Sequence, residues 1–319
     1  MLWKALLLFA PLGATAADFQ LAGPGRNPAL LVPSGEAESV RLAAEDFAFD
    51  LERITGRRPP IVDEESRCGR PCLVVTTRDK DAGALKGRWE AFTVRAEGTD
   101  RIVFAGSDER GAMFAVYAFL EEKLGVDPLW FWTGRTPAKR SVIRLESVEL
   151  TGGEPSFRFR GWFLNDEDLL TEWKPGGGVR HLEYPYYQRV IAPDVSARVF
   201  EAMLRLRMNL VIPASFVDIT NPAERRLIEE AARRGLFVTQ HHVEPMGVSG
   251  FGYQNYFRIQ GRSAPFSFVR ERGLFEEVWR YSAKKWAGFE NVIWQLGLRG
   301  IADRPVWVAD PSVPSDSAG

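Results

Sequence analysis

Charged and polar residues follow four apolar segments in the second half of the chain, and their types could support chemistry. They lie in the segments NDED at 165–168, PAS at 213–215, HHVEPM at 241–246 and RGIAD at 299–303. Carboxyl groups or a guanidinium occur in three of these segments, and one segment holds two of the three histidines of the chain. Surface loops are commonly polar, so any single segment has an ordinary explanation. Their joint occurrence after four successive apolar segments indicates a site.

Paired carboxyl groups suit the hydrolysis of a glycosidic bond. One protonated carboxyl donates to the leaving oxygen, and the other activates water or attacks carbon. Arginine and histidine suit an anionic sugar, because a guanidinium can bind a carboxylate through two hydrogen bonds. These residue types therefore predict a glycosidase for an acidic sugar, which needs neither a metal nor an organic cofactor.

Two other kinds of site agree less well with the sequence. His241, His242 and Glu244 could ligate a metal ion. Adjacent histidines on a strand point to opposite faces, however, so both cannot easily reach one ion. A serine hydrolase with a nucleophile elbow would need a GxSxG motif, which the sequence lacks.

Strands and helices alternate regularly around the four polar segments. Strands are predicted at 157–164, 209–213, 236–240 and 292–298, and helices near 195–207, 222–234 and 271–287. Repeated strand, long loop and helix predict right-handed βα units and a parallel sheet. Four such units form half of a (β/α)8 barrel of the TIM type, where chemistry lies at the carboxyl ends of the strands. We therefore expect an α/β fold with about four βα units, and the polar segments on the catalytic face.

The first half of the chain predicts a smaller α/β domain. Short strands are expected at 30–32, 73–76, 92–95 and 102–105, with a helix over 36–55 that ends at Gly56. Ser107 or Asp108 is expected to cap a second helix. No glycine-rich phosphate loop follows a strand. The segment TGGEP at 151–155 marks a boundary, so we predict an N-terminal domain over 17–150 and a partial barrel over 151–319.

Residues 1–16 (MLWKALLLFAPLGATA) have the features of a secretory signal peptide. Lys4 precedes an apolar run that is too short to span a bilayer, and Ala14-Thr15-Ala16 forms a cleavage site. The mature protein is thus expected to be periplasmic or secreted, with no membrane segment after cleavage. In an oxidising compartment Cys68 and Cys72 can form a disulfide that closes a small loop.

The composition favours some classes of binding partner over others. The 319 residues are 45% hydrophobic and 26% charged, which is typical of a folded globular protein. The 41 lysines and arginines balance the 42 aspartates and glutamates, so the charge does not favour nucleic acid or an anionic membrane. The ten tryptophans are compatible with a carbohydrate partner, although tryptophans also fill cores.

Both halves of the chain resemble the α-glucuronidases of glycoside hydrolase family 115. In the first half the similarity lies in AAEDFAFDLERITG (43–56) and AGSDERGAMFAVYAFLEEKLGVDPLWFW (105–132). In the second half it lies in RGWFLNDED (160–168), RMNLVIPASF (207–216), QHHVEPMG (240–247) and LGLRGIAD (296–303). The resemblance implies an exo-acting, inverting enzyme that removes glucuronic or 4-O-methylglucuronic acid from xylan side chains. A glucuronoxylan-type oligosaccharide is therefore the expected partner.

The resemblance also suggests which residues form the site. The expected catalytic carboxyl groups are Asp303, Asp166 and Glu167. The expected substrate-binding residues are Asn165, His242, Glu244 and Arg299. Ile301 and Arg304 replace acids that are frequent in the family, which keeps open a non-catalytic homologue that binds uronic-acid sugars.

Family members continue through four more barrel strands, whereas this sequence stops after the fourth. Half a barrel would leave a strand edge unpaired and apolar faces uncovered. We therefore expect a longer protein, with at least one active-site acid beyond residue 319, and no activity from this chain alone.

Overall fold

The computed structural model describes residues 18–78, 80–165, 167–183, 188–297 and 299–316. The signal-peptide prediction at 1–16 and the candidate catalytic residue Asp166 lie outside these residues. The described strands are β1 (Phe19–Ala22), β2 (Ala29–Leu31), β3 (Ile61–Val62), β4 (Cys72–Thr76), β5 (Phe92–Glu97), β6 (Arg101–Gly106), β7 (Ile143–Leu145), β8 (Leu150–Gly152), β9 (Gly161–Phe163), β10 (Leu210–Ile212), β11 (Phe237–Thr239) and β12 (Val292–Ile293).

The described helices lie in both halves of the chain. They are α1 (Glu38–Thr55), α2 (Lys80–Ala84), α3 (Glu109–Glu122), α4 (Trp130–Thr133), α5 (Glu167–Trp173), α6 (Pro193–Arg205), α7 (Pro222–Arg233), α8 (Gly250–Arg258), α9 (Arg272–Trp286) and α10 (Val306–Ala309). None of these described helices combines the length and the apolar character that a membrane crossing requires.

A six-stranded mixed sheet organises the first half of the chain. Its strand order is β3-β2-β4-β6-β5-β8, with β5 antiparallel to both of its neighbours. The predicted helix over 36–55 is confirmed as α1, which ends at Gly56 in the left-handed conformation (φ 78°). Asp108 caps α3 by accepting the N–H of Gly111 at 2.8 Å. Buried aromatic rings of Phe47 and Phe104 join α1 to the sheet.

A four-stranded parallel sheet organises the second half. Its strand order is β12-β11-β10-β9, and every neighbouring pair is parallel. Helices α6, α7 and α9 connect successive strands, as the strand–loop–helix pattern predicts. Gly161 is required for the close approach of β9 to β10, because a Cβ there would lie 1.8 Å from the carbonyl oxygen of Leu210. The described residues thus form a mixed α/β fold, and the eightfold barrel stays a proposal.

The outer strands are shorter than the sequence predicts. The prediction of strand at 157–160 is wrong, because the N–H of Arg160 donates to the Asn209 side chain at 2.9 Å instead of to a strand. Strand β12 ends at Ile293 rather than near residue 298, and Gly297 has a positive φ of 109°. The sequence patterns do not predict helix α8. It begins after Ser249, whose hydroxyl accepts the N–H of Gly252 at 3.0 Å.

The two sheets share one apolar core. Buried side chains of α1 and α3 belong to the same hydrophobic cluster as those of α6 and α7. The buried guanidinium of Arg205 on α6 reaches Asp50 on α1 at 2.7 Å. Residues 150–152 pair with β5 at the edge of the first sheet, whereas the parallel sheet begins at Gly161. The division into domains at residue 150 stays a prediction.

Glu90 connects the two halves at the amino end of the parallel sheet. The residue is 2% exposed, and its Oε1 accepts Arg110 Nε at 3.0 Å and Asn209 Nδ2 at 2.6 Å. Its Oε2 accepts Arg160 Nη2 at 2.6 Å. One buried carboxylate therefore binds donors from α3, from the segment before β9 and from the segment before β10.

Cys68 forms a disulfide with Cys72, the first residue of β4, and their Cα atoms are 5.6 Å apart. We expect the intact mass of the unreduced mature protein to be two hydrogens below that of the reduced protein. Mass spectrometry before and after reduction measures this difference. Alkylation of both thiols without prior reduction would contradict the disulfide.

Candidate active site

The polar segments meet at the carboxyl edge of the parallel sheet. Ser215, after β10, donates its N–H to Glu167 at 2.8 Å and its hydroxyl to Asn165 at 3.2 Å. Gln240, after β11, accepts the N–H of Gln295, after β12, at 2.8 Å. Since parallel strands place their carboxyl ends at one edge, all four strands contribute to this surface.

Glu167 begins α5 and lies beneath the surface. Its side chain is 1% exposed, and Oε1 accepts both Ser215 N and Arg180 Nη2 at 2.8 Å. Burial raises the pKa of the Glu167 carboxyl to about 7, while the Arg180 guanidinium acts in the opposite direction. This carboxyl can therefore carry a proton near neutral pH.

Arg180 is not among the site residues that the sequence predicts. Its backbone N–H donates to the Gln188 carbonyl at 3.0 Å, which places it on a short antiparallel bridge between Val179 and Arg189. The side chain is 1% exposed. A loop residue is not part of the hydrophobic periodicity of a helix or strand. The sequence pattern therefore does not identify Arg180, and only the three-dimensional arrangement does.

His242, Asp303 and Arg299 form an accessible group on the same edge. His242 Nε2 lies 2.7 Å from Asp303 Oδ1, and Arg299 Nη2 lies 3.4 Å from the same oxygen. The side chains are 46%, 73% and 42% exposed, respectively. The hydrogen bond with His242 lowers the pKa of Asp303, and Arg299 acts in the same direction. Asp303 is therefore an ionised carboxylate between two basic side chains.

Glu244 and His241 lie below this accessible group. Glu244 is 2% exposed and accepts the N–H of His241 at 2.9 Å. Burial raises the pKa of Glu244 to about 8. The His241 ring contacts the rings of Phe163 and Phe216, and burial lowers its pKa to about 4. His241 is thus a neutral, buried imidazole at neutral pH.

His242 lies in a turn that follows β11. His241 is buried while the neighbouring His242 is exposed, and their ring centroids lie 4.1 Å apart because the chain turns after β11. The prediction that the two side chains point to opposite faces of a strand is therefore wrong. Among the described residues, no group of three or more histidine, cysteine, aspartate and glutamate side chains could hold a metal ion.

The predicted residues thus fall into two groups. The buried group consists of Glu167 and Glu244, and the accessible group consists of His242, Arg299 and Asp303. Asn165 bonds to Ser215 at the edge, and Asp166 lies outside the described residues. An ionised carboxylate with two exposed basic neighbours can activate water and bind an anionic group beside it.

Residues 152–316 match the model of glycosyl hydrolase family 115, and the chain belongs to this family. No curated protein matches the chain.

Solved structures that are similar to the chain include a family 115 enzyme and a chitobiase. One is described as a novel family GH115 4-O-methyl-α-glucuronidase, BtGH115A, with specificity for decorated arabinogalactans. It is 28% identical with a TM-score of 0.73, and the match covers 90% of this chain and 37% of that protein. The chain therefore spans little more than a third of its length. The chitobiase of Flavobacterium johnsoniae is 12% identical with a TM-score of 0.50, covering 86% of this chain and 44% of that one, which shows a shared fold only.

Proposed function

We propose that the protein is an inverting α-glucuronidase that removes terminal glucuronic or 4-O-methylglucuronic acid from plant polysaccharides. The observation that carries the proposal is the accessible group at the strand ends, in which Asp303 lies between His242 and Arg299. Membership of family 115 supports glycoside hydrolysis. The similar protein BtGH115A is described as a 4-O-methyl-α-glucuronidase, which supports the sugar class.

The roles follow from chemistry and accessibility. Asp303 is ionised, so it suits the general base that activates water in an inverting reaction. Arg299 keeps its proton at any working pH and therefore binds the sugar carboxylate instead of transferring protons. His242 and Asn165 bind the sugar beside it. Glu167 and Asp166 have supporting roles.

The resemblance suggests that Glu244 binds substrate, whereas we propose that it has a supporting role. Its carboxyl is buried and holds the His241 N–H, so it fixes the turn that carries His242. We propose that it supports the sugar-binding residue from below.

We expect Arg299→Ala to weaken the binding of D-glucuronate by about tenfold, which corresponds to about 1.4 kcal/mol. The effect is modest because Arg299 is 42% exposed and solvent screens its charge. Isothermal titration calorimetry with glucuronate and with neutral glucose measures the difference. Arg304→Ala is the matched control, since Arg304 is an exposed arginine five residues away. An equal loss for both sugars would show that Arg299 is structural.

The polysaccharide backbone is a separate part of the proposal. The sequence-based prediction is glucuronoxylan, whereas the similar solved structure has specificity for decorated arabinogalactans. Release of uronic acid from glucuronoxylan and from arabinogalactan, assayed side by side, distinguishes the two.

A second candidate is a homologue that binds uronic-acid sugars without cleaving them. Ile301 stands where family members have an acid, and it lies against Gly250 in the described structure. Glucuronate binding without release of uronic acid from either polysaccharide would favour this candidate.

We further propose a periplasmic or secreted location. The signal-peptide features of residues 1–16 and the Cys68–Cys72 disulfide support it. Fractionation of the source cells, followed by N-terminal sequencing, tests for a mature start near residue 17.

A further inference from the structure

Three buried carboxyl groups converge on the loop that follows β10. Glu167, Glu224 and Glu244 are each no more than 2% exposed, and they come from three different segments of the chain. Each accepts a backbone N–H of the loop at 215–218. Glu167 accepts that of Ser215 at 2.8 Å, Glu224 that of Asp218 at 3.4 Å, and Glu244 that of Phe216.

The loop has a backbone that needs such support. Phe216 has a positive φ of 57°, a conformation that costs energy for a residue with a side chain. A backbone N–H that points to a buried carboxyl oxygen forms a hydrogen bond with it, and this bond is stronger when the carboxyl group is ionised. The three carboxyl groups therefore support a loop conformation that costs energy at Phe216.

Arg180 is the cation that the three carboxyl groups share. Its Nη2 donates to Glu167 at 2.8 Å, and its Nε lies 3.8 Å from Glu224 Oε1. Its charge also acts on Glu244. Nη1 donates to the carbonyl of Ser215, so the guanidinium binds the loop directly as well.

Arg180 opposes the effect of burial on the pKa values of the three carboxyl groups. Burial raises the pKa values of Glu167 and Glu224 to about 7 and that of Glu244 to about 8, while Arg180 lowers all three. Removing one partner of a buried ion pair is costly because it leaves the other charge uncompensated. Without Arg180, the carboxyl groups would keep their protons to higher pH or move apart, and the loop N–H groups would have weaker acceptors.

We propose that Arg180 is a positioning residue that fixes the loop at 215–218 on the edge of the candidate active site, through the carboxylates that bind the loop. The identity of that edge as an active site rests on the proposed function, whereas the positioning of the loop does not. Ser215 bonds to Asn165, and Glu244 bonds to the segment that carries His242. The arginine therefore acts on the sugar-binding residues without contacting the sugar.

Hydrogen exchange measured by mass spectrometry tests this proposal on the 319-residue protein without any ligand. In Arg180→Met, we expect the amides of residues 215–218 to exchange at least about tenfold faster, since they open more often. Arg180→Lys keeps the positive charge but loses the planar guanidinium group. Amide exchange at 215–218 in this variant should therefore be faster than in the wild type and slower than in Arg180→Met.

Arg226→Met is the matched control. Arg226 Nη2 donates to the carbonyls of Gly177 and Ile191 at 3.0 and 3.3 Å, so it binds the same neighbourhood through backbone oxygens. Its replacement should leave exchange at 215–218 unchanged. Unchanged exchange at 215–218 in Arg180→Met, or the same increase in Arg226→Met, would overturn the proposal.

A second variant covers the case in which Arg180→Met does not fold. Arg180→Met/Glu224→Gln removes one buried negative charge together with the cation, so it should fold more readily. We expect the double variant to retain fast exchange at 215 and 216, because their acceptors Glu167 and Glu244 remain without Arg180. Exchange as slow as in the wild type would show that Arg180 only balances charge, and would refute the positioning role.

Discussion

Glu90→Ala should lower the free energy of unfolding by about 3–5 kcal/mol, the range found when one partner of a buried ion pair is removed. The carboxylate of Glu90 accepts donors from Arg110, Asn209 and Arg160, and it is buried between the two halves of the chain. Its removal leaves Arg110 Nε and Arg160 Nη2 without their carboxylate acceptor, and Asn209 Nδ2 keeps only the carbonyl of Arg158. Glu90 also has a positive φ of 54°, and alanine at this position retains the same backbone strain. The decrease in the free energy of unfolding is therefore due to the missing carboxylate.

Urea unfolding followed by circular dichroism measures the difference. Glu45→Ala is the control, because Glu45 is an exposed glutamate on α1 and its replacement should change the stability by less than about 0.5 kcal/mol. Glu90→Gln keeps one acceptor oxygen and should fall between the two. A Glu90→Ala protein as stable as Glu45→Ala would show that the donors find other partners.

Asp303→Asn should lower kcat by about 10²-fold or more, the usual scale for losing a general acid or base. The amide keeps the size of the side chain but cannot accept a proton from water. The assay measures release of uronic acid from glucuronoxylan fragments. It uses whichever protein is active on them, either this chain or a longer form of it. Binding of glucuronate should change much less than kcat, because Arg299 and His242 remain.

Glu290→Gln is the control for this experiment. Glu290 is exposed and precedes β12, at the opposite end of the strand from the site, so its replacement should leave kcat unchanged. An active protein that is indifferent to Asp303→Asn would move the catalytic assignment to another carboxyl group.

Local patterns predict the local parts of this fold. The apolar face of α1, the cap at Asp108 and the order of the strands β9 to β12 follow from periodicity and spacing, and the structure contains them. The same reasoning overextends a strand through FRFR at 157–160. Alternation of apolar and charged residues is typical of a strand, but the Asn209 side chain takes the N–H of Arg160 there.

The candidate site shows a similar limit. Its accessible residues, such as His242 and Asp303, lie where the strand-end rule predicts, although their roles stay predictions. The buried residues that hold the site in place do not follow from any local sequence pattern. Arg180 meets Ser215 from 35 positions away, and Glu90 meets Asn209 from 119 positions away. Such contacts depend on packing, which a single sequence does not reveal.

The shared core has a consequence for modular exchange of the first half between related enzymes. Asp50 and Glu90 lie in the first half, whereas their partners Arg205, Arg160 and Asn209 lie in the second. A chimaera joined near residue 150 would place these charges against side chains selected for another interface. The two halves would have to be exchanged together with those partners, so the first half behaves as a fitted component of the enzyme and not as an interchangeable module.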